Sequence, residues 1–103
     1  MLLVNIDHIP GQELEVLQMV YGSTVQSKHF GKDLGAAFKT LVGGEIVAYT
    51  EMMNESREIA TKRLIAQAEK LGADAVIGIR YSSSSVMDGA SEVMAYGTAV
   101  KFK

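Results

Sequence analysis

Few side chains in this 103-residue sequence are of the kinds that do chemistry, and their spacing narrows the field further. There is no cysteine, which removes thiolate catalysis, thiolate metal sites and a disulfide framework together. The two histidines, His8 and His29, stand apart. A zinc or copper site takes three or four ligands, and no His-x-x-x-His or Glu-x-x-His spacing accompanies either one. They read as a turn histidine and a loop histidine. Only symmetric copies of the chain could gather one of them around an axis into a metal site. The six methionines offer thioethers to a soft ion such as Cu(I), but no Met-x-x-Met cluster forms and core filling explains them.

Oxygen chemistry is equally spare. Glu51, Glu55 and Glu58 fall on one helix and read as a solvated face. Ser82 to Ser85 lies between strand residues, where a phosphate cradle would need glycine amides at a helix N-terminus. Gly89-Ala90-Ser91-Glu92-Val93 begins like a nucleophile elbow but lacks the last glycine and the strand-to-helix setting. Gly72 and Gly78 come in helix-then-strand order, the reverse of a dinucleotide fingerprint. Two residues remain open in role: Arg57, beside an apolar stripe, and Tyr49. Either can pair within a subunit or across an interface.

The elements that must position these residues centre on the stretch Tyr49 to Tyr81. Met53, Ala60, Leu64, Ala68 and Leu71 recur at helical steps, with a gap at Ser56/Arg57, and predict a long amphipathic helix. Acidic residues are expected in its first turns and Lys70 in its last, as the macrodipole prefers. Glu58 and Lys62 stand four apart in the favourable order. Gly72 supplies the left-handed stop.

Earlier in the chain, Leu2 to Ile6 is a short apolar stretch ended by the turn His8-Ile9-Pro10-Gly11. Glu13 to Val25 reads as a strand with a bulge or bend at Gly22. Lys28 to Gly31 reads as a loop. Asp33 to Val42 reads as a short helix ended by Gly43-Gly44, and the long helix is expected soon after Glu45.

After Gly72 comes a hairpin, with Ala75 to Met87 and Ala90 to Phe102 joined by Asp88-Gly89. A tight turn there sets Tyr81 opposite Tyr96, Ile79 opposite Thr98 and Ile77 opposite Val100. One face then carries Ile77, Ile79, Tyr81, Met94, Tyr96, Val100 and Phe102. The other is nearly bare backbone around Gly78, Gly97 and Ala99, which predicts something packed very close. Neither face is polar, so one should meet the helix and the other a second subunit. Gly78, Tyr81, Tyr96, Gly97 and Ala99 are therefore the expected packing residues.

The bulk properties agree with a single domain, residues 1–103, that assembles. A formal charge of -2 and a pI near 5.6 argue against a nucleic-acid partner, and the ten basic residues form no stripe. The N-terminus has no basic n-region, and no apolar run nears the roughly 20 residues that span a bilayer. A soluble, cytoplasmic protein is expected. The hydrophobic content of 48% is high for a small acidic monomer and adds to the case for self-association.

Taken in order, four pieces of the chain resemble the YbjQ family of small prokaryotic proteins. They are Val42-Gly43-Gly44; Tyr49 leading to Arg57-Glu58-Ile59-Ala60; Leu71-Gly72-Ala73-Asp74-Ala75-Val76-Ile77-Gly78; and Gly97-Thr98-Ala99-Val100-Lys101. Glu45 stands where that family usually has arginine, and Ser56 where it has a small alanine. The resemblance implies an α+β, two-layer subunit with an antiparallel sheet. It also implies a ring-shaped homopentamer whose neighbours are bridged by extra strands. The family is labelled a "putative heavy-metal-binding domain", without an established biochemical function.

Three functions follow as expectations. The first is a non-enzymatic binding module for a metal ion or small ligand at inter-subunit sites lined by Gly43, Gly44, Tyr49 and Arg57. The second is a structural or adaptor oligomer that binds another protein. The third is an enzyme using inter-subunit acids such as Asp33, Glu45 or Asp74, one of them with a raised pKa.

Overall fold

The computed structural model describes residues 1–27, 41–42 and 45–103, with the side chains of residues 41, 42 and 45 left aside. In chain order the elements are β1 (Leu2–Leu3), β2 (Leu14–Ser27), β3 (Leu41–Val42), β4 (Glu45–Ile46), α1 (Val47–Lys70), β5 (Ala75–Met87) and β6 (Ala90–Phe102). The expected loop at 28–31 and most of the expected short helix at 33–42 lie outside the described residues. The last two residues of that helix are instead β3, paired antiparallel with β4. The long helix accordingly starts at Val47.

Helix α1 buries Met52, Ser56, Ala60, Leu64 and Ala68, one residue every four. Met53 and Leu71, expected on the stripe, are only partly buried and pack along its margin. The expected gap is closed by Ser56, whose hydroxyl donates to the Met52 carbonyl at 2.8 Å and so enters the core satisfied. Among the early turns the acids begin with Glu51 in the second, since a start at Val47 leaves none in the first. Lys70 does occupy the last turn. There the Ala73 and Gly72 amides bond to the Ala68 and Glu69 carbonyls, and Gly72 has φ +73, a Schellman ending.

The main sheet has the order β1-β5-β6-β2. It is mixed, not antiparallel, because β1 runs parallel to β5. The N-terminal stretch continues along β5 as Val4 N–H to Val76 O, Gly78 N–H to Ile6 O and Ile79 N–H to Val4 O. It also brings Val4 and Ile9 over Ala75, Ile77 and Val100, a small core on the side away from the helix. A strand of two residues has no pattern of its own, so its direction is set by this cover.

The β5–β6 turn closes with Met87 opposite Ala90, but the expected pairing holds only there. Bulges between Ser85 and Met87 and between Ile77 and Arg80 each move the register by one residue. Tyr81 consequently opposes Ala95, Ile77 opposes Thr98, and Tyr96 lies between Arg80 and Tyr21. Gly78, at φ +63 with open space where a Cβ would stand, lets the strand bend there. The bend moves Ile79 and Tyr81 to the helix side and leaves Ile77 on the other.

The helix therefore rests on the face of small residues, packing against Val20, Val76, Ile79, Val93, Ala95 and Ala99. Gly22 is no bulge; a Cβ there would strike Ala60 O, Leu64 N and the Arg63 Cβ. The bulge in β2 lies instead between Val16 and Gln18. Gly97 is covered by its own sheet, since a Cβ would come within 2.9 Å of Ile77 O and Val76 Cγ1. On the opposite face Val16, Met19, Tyr21, Val25, Tyr96 and Phe102 stay exposed, Met19 at 67% and Val16 at 66%. Among the described residues no helix is long and apolar enough to cross a membrane.

Candidate functional site

A groove of about 510 Å³ opens between one flank of α1 and β5, lined by Asn54, Arg57, Glu58, Thr61, Lys62 and Tyr81. The five helix residues sit at steps of three and four, so they form one polar flank beside the buried stripe. Strand β5 reaches this flank because the bend at Gly78 turns Tyr81 toward the helix. A smaller hollow of about 90 Å³, lined by Met53, Arg57, Tyr81, Ser82, Ser83 and Val93, adjoins it. Arg57 and Tyr81 border both.

The hydrogen bonds define which groups the groove offers. Thr61 Oγ1 donates its single hydrogen to the Arg57 carbonyl at 2.7 Å. Its 2.8 Å bond with the Tyr81 hydroxyl must then have tyrosine as the donor. Arg57 Nη1 donates to Asn54 Oδ1 at 3.0 Å, which turns the Asn54 –NH₂ group away from the guanidinium. Among the described residues the one ion pair is His8 with Asp7, so Arg57 has no carboxylate partner there. Glu58 and Lys62 both line the groove without forming the ion pair their spacing allows.

Arg57, singled out by its place beside the stripe, is thus a groove residue. Tyr81, expected as a packing residue, joins it. Asn54, Thr61 and Lys62 escaped sequence reasoning, since polar residues on a helix read as solvated; the signal was their shared spacing with Arg57. Tyr49 lies two turns away, half-buried, with its hydroxyl bonded to that of Ser91. Gly43 and Gly44, expected with them, lie outside the described residues. Of the other packing candidates, Gly97 and Ala99 are buried inside the subunit, Gly78 shapes the bend, and Tyr96 is on the open face.

The metal candidates do not converge among the described residues, where no three His, Cys, Asp or Glu side chains come together. His8 is exposed and its Nδ1 lies 3.1 Å from Asp7 Oδ1. That hydrogen bond, helped by a backbone bond and the imidazole charge, holds the Asp7 carboxyl below its ordinary range. His29 lies outside the described residues. Of the three acids considered for catalysis, Asp33 and the Glu45 side chain are outside them too. Asp74 Oδ2 accepts a 2.8 Å bond from the Phe102 amide, a structural role at the sheet end.

Comparison with known proteins adds a family. The YbjQ family model, described as "Putative heavy-metal-binding", matches residues 1–103. A UPF0145 protein of Alkaliphilus metalliredigens is 65% identical over 102 residues, 99% of each chain. One from Clostridium novyi is 61% identical over 98% of each chain. The Thermotoga maritima relative is 57% identical over all of this chain and 98% of its own. A crystal structure from Pediococcus pentosaceus, a protein of unknown function in the DUF74 family, superposes with a TM-score of 0.72 at 18% identity. It covers 100% of this chain and 98% of that one, and speaks for the fold alone.

Proposed function

The chain belongs to the YbjQ family, and from that premise we propose that it is a non-enzymatic binding module assembled from copies of itself. Its site is the groove bordered by Arg57 and Tyr81, which takes a small ligand or a metal ion where subunits meet. The observation that carries this reading is the open sheet face. Six large apolar side chains are exposed on one side of the sheet while the groove opens beside β5. A small protein in water rarely leaves such a patch bare. Covering it with a second copy removes the patch. Five is the number of subunits the family resemblance implies, and the cytoplasm is the compartment this reading favours.

An adaptor oligomer is the second reading, favoured by the same face if a different protein covers it. Native mass spectrometry of the gently purified protein separates the two. A five-subunit mass retaining a reproducible non-protein mass supports the binding module. A bare ring that captures one defined protein partner stoichiometrically supports the adaptor. A monomer at micromolar concentration overturns both.

A further inference from the structure

Resting on the binding-module reading, we infer that the groove's ligand presents an anionic oxygen group, a phosphate or carboxylate, and not a bare metal cation. The donor set decides it. Arg57 and Lys62 bring two fixed cations to the groove against one carboxylate, Glu58. Arg57 commits Nη1 to Asn54 and keeps its remaining guanidinium donors, with no carboxylate partner among the described residues. Because Asn54 Oδ1 accepts that bond, its –NH₂ group is left to donate. Asn54 holds the guanidinium through Nη1, three positions away on one helix flank, and leaves the rest of the planar fork to face the groove. That fork, with Lys62 beside it, matches the lone pairs of an oxyanion.

Tyr81 completes the arrangement from the strand side. Its proton goes to Thr61, so its oxygen is left as an acceptor beside the anion site. The ligand is therefore expected to carry a hydroxyl or N–H next to its anionic group. A cationic metal finds little here. The groove has one carboxylate, and no cysteine or histidine lines it, whereas a stable site needs three or four such ligands. The cations Arg57 and Lys62 would also repel it.

The test is amide-detected NMR of the full-length protein titrated in separate samples with inorganic phosphate, with the carboxylate probe glycolate, and with zinc chloride. Phosphate or glycolate should shift the Arg57, Thr61 and Tyr81 amides saturably, and the tighter of the two identifies the oxyanion class. Arg57→Gln should weaken that binding roughly tenfold or more, the effect of losing a charged hydrogen bond. Arg57→Lys, which keeps the charge but loses the fork, should recover part of it. Saturable oxyanion binding unaffected by Arg57→Gln would overturn the assignment. So would zinc moving the same amides in a way lost in Glu58→Gln, although the binding-module reading would stand. If none of the three probes moves these amides, both the oxyanion inference and the groove as the module's site fail.

Discussion

At the scale of single residues, the glycines have unlike roles that substitution can tell apart. Gly22 lies under the helix backbone, where even a methyl group meets Ala60 O and Leu64 N. Overpacking of a core costs about 1–3 kcal/mol and more where backbone must move, so Gly22→Ala is expected at or above the top of that range in urea unfolding. Gly72 is different: a Cβ there meets only the end of the Lys101 side chain at 3.8 Å, but φ is +73. Gly72→Ala should cost about 1–2 kcal/mol, the penalty for a left-handed L-residue. Ser56 makes a third case. Its buried hydroxyl is already satisfied by the Met52 carbonyl, so Ser56→Ala removes donor and burial cost together. It should change stability by less than about 1 kcal/mol, whereas Ser56→Leu should overfill the space beneath the helix.

At the scale of elements, the bend at Gly78 governs the groove, because it decides which face Tyr81 occupies. Gly97 lies opposite that bend, against Ile77 O, Val76 Cγ1 and Ile79 Cγ1. Gly97→Val is therefore expected to unfold the subunit itself, seen as loss of the cooperative transition by circular dichroism. Retained folding with only a change of oligomeric state would show that Gly97 is an interface residue instead. Much of the element structure is legible in the sequence. The helix announces itself by period, its end by Lys70 and Gly72, and the hairpin by Asp88-Gly89. The register is not legible, because an extra residue in a strand leaves little mark in the sequence, and the one at Gly78 is enough to move Tyr81 across the sheet. The parallel β1 is equally silent, being too short to alternate. The groove shares this fate. Its helix residues are polar by composition, and only the face on which Tyr81 emerges shows that Thr61 and Arg57 have something to meet.

At the scale of the whole molecule, the subunit is extended. Its radius of gyration is 17.2 Å, against about 13 Å for a compact chain of this length. The open sheet face carries Val16, Met19, Tyr21, Val25, Tyr96 and Phe102 toward solvent. In the proposed assembly this face is covered by a neighbouring copy, and a charge placed at its middle cannot be accommodated there. The variant Met19→Glu/Tyr21→Glu leaves the helix-side core untouched, since both residues are exposed in the subunit. Sedimentation velocity of the parent and this variant at micromolar concentration is the most direct test. The parent should sediment as five times the 11.1 kDa subunit, and the variant as a single folded subunit with unchanged helical circular dichroism. A parent that sediments as a monomer, or a variant that assembles as the parent does, would contradict self-association through this face.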